Sequence, residues 1–170
     1  MALWQFRFSL VPEAGIILKH GKVPSVLESF LPADPDDLDT TADASPQLAY
    51  WGDINPSTIS SVHSLLPPMD SWLEDARMFG YRHGHQIEAW SHDLICKFDA
   101  RDPDTAILDQ YVSLARELDC RIVLHETGQV LKADVAVIHL ALRESRAARF
   151  LRNPHSTLKE FHKKRRPPTS

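Results

Sequence analysis

The densest group of metal-ligating residue types in this 170-residue chain lies between residues 83 and 99. His83 and His85 are two residues apart, so on a β-strand both side chains would point to the same face of the sheet. Together with His92 and Asp99 they could supply imidazole and carboxylate ligands to a zinc-type ion. No HExxH or comparably specific spacing accompanies them, and hydrogen-bonded histidines beside a hairpin are the competing interpretation. A metal-dependent hydrolase is therefore an alternative rather than the leading hypothesis.

Motifs for covalent or nucleotide chemistry are absent from the sequence. There is no GxSxG nucleophile elbow, and the six glycines form neither GxGxxG nor GxxxxGK[ST]. Cys96 and Cys120 do not form a CxxC pair and lie in apolar, strand-like stretches, which predicts two buried, reduced thiols. With 23 acidic residues, any chosen carboxylate pair is a non-specific signal for acid–base catalysis. We therefore predict a non-enzymatic protein that requires no cofactor.

Charge is distributed unevenly along the chain. Residues 23–76 contain ten carboxylates and no Lys or Arg. In protein recognition, charge steers the encounter and buried aromatic rings supply much of the contact energy. This pattern predicts a surface for a basic protein partner. The candidate contacts are Asp36, Asp37, Asp39, Tyr50, Trp51, Asp53 and Trp72. The alternative is a solubilising acidic segment whose aromatic rings pack into the protein core.

The sign of the charge reverses from residue 143, with nine Lys and Arg against two Glu. Arg143, Arg146, Arg149 and Arg152 are spaced by three, so on one helix they would form a ridge able to contact phosphates. Cations in the last turns of a helix also interact favourably with the helix dipole. The formal net charge of −4 argues against a protein that coats nucleic acid with its whole surface. Nucleic-acid binding by the arginine ridge is therefore a further alternative and not the expected function.

The elements that must position these residues follow from hydrophobic periodicity. Alternation of aromatic and polar residues predicts a strand over residues 3–10 with one buried face. The second half predicts strands at 85–90, 95–100 and 120–125, a helix from Asp102-Pro103 to residue 119, and a helix from Asp134 to about residue 151. Weaker patterns predict a strand at 16–18, a short helix after Ser25, a helix at 57–66 and helical turns at 72–79.

The register of the 85–100 hairpin follows from its charges. Pairing Trp90 with Ile95 places Glu88 opposite Lys97 and leaves a four-residue loop. Opposite charges across a ladder stabilise a sheet modestly, whereas a carboxylate facing the core without a partner is costly.

The order of elements predicts an α+β fold, with a mainly antiparallel sheet of about four to five strands and helices packed on one face. We expect one domain over residues 1–155 with a mobile acidic loop at about 32–48, followed by a basic, partly disordered tail at 156–170. No apolar run approaches the roughly 18 residues needed to span a bilayer, and the N-terminus lacks a signal-peptide pattern. These features predict a soluble cytoplasmic protein with no membrane partner.

Several segments of the second half resemble a group of small bacterial proteins without an assigned activity, some of them of the toxin-immunity type. The segments are Phe98-Asp99-Ala100-Arg101, Leu118-Asp119-Cys120, residues 127–131 and residues 145–150. The resemblance covers mainly residues 80–155 and implies a cytoplasmic bacterial protein that binds and neutralises a secreted toxin. It carries over no functional residue. Combined with the charge pattern, it predicts an immunity or inhibitor protein that occludes a basic active-site surface.

Overall fold

A computed structural model describes residues 3–31, 50–71 and 74–158, which are built around one antiparallel sheet. Its seven strands are β1 (Gln5–Pro12), β2 (Pro68–Met69), β3 (Arg77–Gly80), β4 (Gln86–Ala89), β5 (Leu94–Asp99), β6 (Cys120–Leu124) and β7 (Val130–Leu131). Their order across the sheet is β2-β3-β4-β5-β1-β6-β7. The predicted α+β class is confirmed, but the expected four to five strands are too few. Strands of two residues, such as β2 and β7, are too short to leave a periodic pattern in a sequence.

Helices cover both faces of the sheet, so the predicted one-sided arrangement is wrong. The helices are α1 (Glu13–His20), α2 (Pro56–Leu65), α3 (Ala106–Glu117), α4 (Val135–Glu144) and α5 (Arg146–Arg152), with a 3-10 turn at Glu28–Phe30. The first face, which carries Phe8 of β1, packs against α2, α3, α4 and α5 in the larger core cluster. The second face carries Val11 of β1 and packs against α1 and the 3-10 turn through Ile16 and Phe30.

Two local predictions in the first half are wrong. The apolar run at residues 16–18 belongs to α1, which Gly21 ends in a left-handed conformation by donating its N–H to the carbonyl of Ile17. Only Ile16 of that helix is buried, whereas Ile17 and Leu18 point away from the core and are exposed. The predicted helical turns at 72–79 overlap β3, which pairs with β4 from Arg77 opposite Ala89. Pairing with a neighbouring strand overrides the weak local helical pattern there.

The β4–β5 hairpin has the predicted loop length but a different register. Glu88 lies opposite Ile95, and Gln86 lies opposite Lys97. The loop spans residues 90–93, where the N–H of Trp90 donates to the carbonyl of Asp93 at 2.9 Å and the Asp93 carboxylate accepts the N–H of Leu94 at 2.8 Å. This register is shifted from the predicted one by two residues. Because side chains alternate between faces, an even shift leaves Glu88 and Lys97 on the same face. They form an ion pair across the diagonal.

The predicted final helix is divided at Ser145. Asp134 begins it as expected, with its carboxylate accepting the N–H of Val137 at 3.1 Å. Ser145 then has extended backbone angles (φ −64°, ψ 160°), and its hydroxyl accepts the N–H of Ala148 at 3.2 Å. A serine that caps a new helix competes with continuation of the old one. The chain therefore changes direction between α4 and α5.

Parts of the predicted domain organisation lie outside the described residues. These are the whole of the loop predicted at 32–48 and residues 159–170 of the predicted tail. The described start of that tail, residues 156–158, is helical. No helix in the described ranges is long and apolar enough to cross a membrane.

Candidate functional site

Both ring nitrogens of His85 form hydrogen bonds within the fold. His85 is buried, and its ring stacks on Phe98 with centroids 4.7 Å apart. The Nδ1 atom accepts the backbone N–H of Asp99 at 3.0 Å. The Nε2 atom therefore carries the proton and donates to the Asp102 carboxylate at 3.2 Å. Neither ring nitrogen remains for a metal ion in this arrangement.

The other members of the predicted metal group are held separately. Arg101 donates from Nε and Nη2 to the Asp99 carboxylate, with Nη2 to Oδ2 at 2.5 Å, and these hydrogen bonds lower the pKa of Asp99. The Arg101 guanidinium also lies over the Trp4 ring, 4.5 Å from its centroid. His92 shares a 2.8 Å hydrogen bond with the Ser91 hydroxyl, and His83 is exposed. Within the described ranges, no three His, Cys, Asp or Glu residues are grouped to hold a metal ion.

A layer of buried and half-buried polar side chains lies on the second face of the sheet, and it was not predicted from the sequence. This polar layer consists of Arg7, Ser9, Glu88, Asp93, Lys97 and His125. Lys97 donates to Glu88. Ser9 donates to Asp93 at 3.3 Å, and its hydroxyl oxygen lies 2.8 Å from Nε2 of His125. Arg7 and Ser9 alternate with the aromatic residues of β1, a pattern that normally places such residues in solvent.

The serine, histidine and aspartate of the polar layer do not form a nucleophilic triad. In a hydrolytic triad the histidine lies between the serine and the acid, where it can take the serine proton. Here Ser9 lies in the middle, donating to Asp93 while its oxygen accepts from His125. Ser9 is also 0% exposed in an interior strand of the sheet, so no substrate carbonyl can reach its hydroxyl. This geometry provides a structural hydrogen-bond chain and no activated nucleophile.

Burial shifts the acid–base properties of the polar layer in opposite directions. It raises the pKa of Asp93 to about 6, although hydrogen bonds from Ser9 and the Leu94 N–H oppose the shift. It lowers the pKa of His125 to about 3, and the positive charges of Arg7 and Lys97 lower it further. At neutral pH the imidazole is therefore neutral, while Asp93 is mostly ionised.

Tyr50 and Trp51, two of the predicted partner contacts, pack against the core. Tyr50 is 5% exposed, stacks on Phe30, and its hydroxyl lies 3.0 Å from Nε2 of His20. Trp51 is half-buried, and its Nε1–H donates to the carbonyl of Leu10 at 2.8 Å. These contacts match the alternative in which the aromatic rings are core residues. Asp53 is exposed, whereas Asp36, Asp37, Asp39 and Trp72 lie outside the described residues.

The four described acids of residues 50–76 form no ion pair with a described residue. We call Asp53, Asp70, Glu74 and Asp75 the unpaired acids, because all four are exposed and lie in a stretch without Lys or Arg. Of the thirteen other described carboxylates, five pair with Lys or Arg and two with a histidine, whereas Glu28, Asp93, Asp104, Glu117, Asp119 and Glu144 form no ion pair with a described residue. The pairs are Glu13–Arg121, Glu88–Lys97, Asp99–Arg101, Asp102–His85, Asp109–His139, Asp134–Arg116 and Glu126–Arg149.

A cleft of about 560 Å³ lies between α2 and the β2–β3 strands at one edge of the sheet. Its walls include the apolar side chains of Ile59, Met69 and Phe79. Two of the unpaired acids border it in the chain, since Asp70 lies between lining residues 69 and 71 and Asp75 directly precedes lining residue 76. Asp70 and Asp75 are therefore neighbours in the chain of residues in the cleft wall, in which Arg77 is the one Lys or Arg.

The predicted arginine ridge is not one continuous row. Arg143 belongs to α4, whereas Arg149 and Arg152 belong to α5 beyond the break at Ser145. Arg149 donates to Glu126 at 2.9 Å. Arg152 donates to the backbone carbonyls of Ala148 and Arg143 at 3.3 and 3.0 Å. The guanidinium groups of Arg149 and Arg152 are thus already engaged by the fold.

Comparison of the chain with protein-family models, with curated proteins and with solved structures found no match.

Proposed function

We propose that this protein is a non-enzymatic binding protein of the immunity or inhibitor type, which covers a basic surface of a secreted bacterial toxin. The observation that carries the proposal is the set of unpaired acids. Four exposed carboxylates in residues 50–76 have no cationic partner among the described residues, and residues 23–76 contain ten carboxylates and no Lys or Arg. Carboxylates that stabilise nothing inside the protein are available to a partner of opposite charge.

Charge of one sign accelerates association with an oppositely charged partner and selects against partners of the same sign. Each exposed pair contributes only about 0.2–1 kcal/mol, so a tight complex also requires buried contacts. The cleft beside Asp70 and Asp75 offers apolar surface for such contacts. Electrostatic steering of a basic partner by the acids, and burial of its apolar groups in the cleft, would both favour binding of a protein.

Tyr50 and Trp51 have a positioning role in this proposal. Their rings attach the start of the described acidic segment to β1 and to the 3-10 turn, which leaves Asp53 exposed two residues further on. The contact surface is therefore proposed to consist of Asp53, Asp70, Glu74 and Asp75, together with the predicted contacts Asp36, Asp37, Asp39 and Trp72.

The two alternatives have less support. A hydrolase centred on His83, His85, His92 and Asp99 would need His85 to release a hydrogen bond, either the one it accepts from the Asp99 N–H or the one it donates to Asp102. Nucleic-acid binding by the arginine ridge would need Arg149 to leave Glu126. Each would lose contacts that stabilise the folded chain.

Affinity capture with matched variants tests the proposal. The acid-neutral variant carries Asp53→Asn, Asp70→Asn, Glu74→Gln and Asp75→Asn. The control variant carries Glu28→Gln, Asp104→Asn, Asp119→Asn and Glu144→Gln, which removes the same charge from exposed acids outside residues 50–76. Each protein is used as bait in source-cell extract, and captured proteins are identified by mass spectrometry.

The proposal expects a discrete basic protein to be captured by the wild type and by the control variant but not by the acid-neutral variant. The purified captured protein should then bind the wild type directly. Capture of the same proteins by all three baits, or of no protein by the wild type, would refute it.

A further inference from the structure

We infer that the cleft between α2 and the β2–β3 strands is a binding site for a small monocarboxylate with an apolar body, whose carboxylate is held by Arg77. The cleft volume of about 560 Å³ lies within the range of roughly 300–1,000 Å³ that is usual for small-molecule pockets. The inference goes beyond the proposed function, because binding of such a ligand requires no protein partner.

One continuous face of α2 forms the helical wall of the cleft. Four lining residues belong to α2 and follow the spacing i, i+3, i+4, i+7, which places them along one face of the helix. They are Pro56, Ile59, Ser60 and His63. The side of the helix that packs on the core is a different one and carries the buried residue Val62. The helix therefore packs on the core with one side and presents a second side to the cleft.

The strand wall of the cleft places Arg77 beside an aromatic core residue. Arg77 and Phe79 are two residues apart on β3, so their side chains point to the same face of the sheet. Phe79 belongs to the larger core cluster together with Val62 of α2, and its ring centroid lies 6.3 Å from that of His63. Arg77 therefore lies on the α2 side of the sheet, next to the apolar side chains of Phe79 and Ile59.

The charge of the cleft wall favours an anion. Arg77 is the one Lys or Arg among the described lining residues, and none of these residues is Asp or Glu. Its guanidinium group forms no ion pair or hydrogen bond with a described residue. A guanidinium binds a carboxylate through two parallel N–H···O hydrogen bonds, which are stronger than neutral hydrogen bonds. His63 also lines the cleft, and its imidazole N–H is a further donor.

The acids that neighbour the cleft wall restrict the ligand to one negative charge. Asp70 and Asp75 are each one residue from a lining residue along the chain, and consecutive Cα atoms are only about 3.8 Å apart. A second carboxylate on the ligand would be repelled by these acids. An apolar body is instead accommodated by the walls, where the unbranched side chain of Met69 adapts to irregular shapes.

Two probes with the same alkyl chain and opposite charge test the site. The ¹³C-methyl-labelled protein is titrated at neutral pH with octanoate and, separately, with n-octylammonium. We expect octanoate to shift the methyl signals of Ile59 and Met69 and to bind at least about fivefold more tightly than n-octylammonium. Equal affinity for the two probes, tighter binding of n-octylammonium, or no shift at these methyl groups would overturn the inference.

Arg77→Gln tests the contact assigned to the carboxylate. The change removes the positive charge at an exposed position and keeps a polar side chain, so octanoate should bind at least about tenfold more weakly. Arg143→Gln removes the same charge from an exposed position of α4 outside the cleft and should leave the affinity unchanged. Equal octanoate affinities of wild type and Arg77→Gln would refute the inference.

The acid-neutral variant separates this inference from the proposed function. It should lose the protein partner but bind octanoate at least as tightly as wild type, because the acids that it lacks repel a carboxylate. If wild type binds the captured partner but not octanoate, the inference is refuted and the proposed function stands. If wild type captures no partner but binds octanoate through Arg77, the proposed function is refuted and the ligand site stands.

Discussion

The polar layer couples two titrating side chains through one serine. Ser9 bonds to Asp93 and His125, which titrate near pH 6 and pH 3 in the folded protein. In the unfolded chain the same groups titrate near pH 3.9 and 6.5. Asp93 therefore binds its proton more tightly in the folded state, and His125 binds its proton less tightly. Between about pH 4 and 6 these two contributions to stability have opposite signs and largely cancel.

Replacing Asp93 or His125 should reveal how the other side chain makes the free energy of unfolding depend on pH. Below pH 6 the folded state keeps His125 neutral while the unfolded state protonates it, so the variant Asp93→Asn should lose stability on acidification. From pH 6.0 to 4.5 we expect its free energy of unfolding to fall by about 2 kcal/mol relative to wild type. The variant His125→Gln retains a raised Asp93 pKa, so its free energy of unfolding should rise by a similar amount over the same range. Urea titrations at a series of pH values measure both slopes.

Parallel pH profiles for wild type and both variants would contradict this account of the polar layer. Ser113→Ala, a change at an exposed serine of α3, serves as the control and should leave the pH profile unchanged.

His85 is predicted to act in stability and not in metal binding. His85→Phe keeps a ring against Phe98 but leaves the N–H of Asp99 without its acceptor, which should lower the free energy of unfolding by about 1–3 kcal/mol. His83→Phe changes an exposed histidine two residues away and should cost less than about 0.5 kcal/mol. Added zinc should not raise the melting temperature of the wild type. Equal effects of the two substitutions, or stabilisation by zinc that either substitution abolishes, would contradict the prediction.

At the scale of elements, α1 is fixed against the start of the acidic segment by a close backbone approach. A Cβ at Gly15 would overlap the carbonyl oxygen of Tyr50 and lie 2.9 Å from its carbonyl carbon. This helix therefore requires glycine at a position where alanine would otherwise favour helix formation by about 1 kcal/mol. The contact joins α1, the Tyr50 ring and the 3-10 turn into the second core cluster.

Gly15→Ala is expected to destabilise the protein by about 1–3 kcal/mol, because backbone atoms must move to accommodate the methyl group. Ala14→Gly, at an exposed position of the same helix, should cost about 1 kcal/mol through helix propensity alone. Thermal or urea unfolding measures both changes. If Gly15→Ala instead stabilises the protein by the amount that Ala14→Gly loses, the close approach to Tyr50 does not constrain the helix.

The elements that the sequence predicted well are those with long or unambiguous patterns. β1 alternates between polar and apolar residues from Gln5 to Leu10, the stripe of α3 is broad, and Asp134 caps α4 as expected. The failures have identifiable physical causes. β3 is short and buried on both faces, so it shows no alternation, and its pairing with β4 decides its structure. The break at Ser145 could not be predicted, because the apolar residues keep helical spacing across it. The capping hydrogen bond from the Ala148 N–H to the Ser145 hydroxyl, which begins the new helix, is visible only in the fold.

At the scale of the whole molecule, acids and cations are separated along the chain. Some acids of the second half pair with cations brought to them by the fold, as in Glu126–Arg149 and Asp134–Arg116. The unpaired acids lie in the stretch around α2 and before β3, which contains no Lys or Arg up to Arg77. The uneven distribution of charge was visible in the sequence, but the pairing was not, since it depends on contacts between distant residues. The cleft was likewise invisible, because α2 and β3 are brought together only in the fold.

The most direct test of the central claim is the dissociation constant of the complex with the captured basic protein, measured by calorimetry at two salt concentrations. We expect the acid-neutral variant to bind at least about tenfold more weakly than wild type at low salt, and its affinity to depend less on salt. The control variant, with the same total charge, should remain close to wild type. Equal dissociation constants for the acid-neutral and control variants would contradict the account, because binding would then follow net charge and not the unpaired acids.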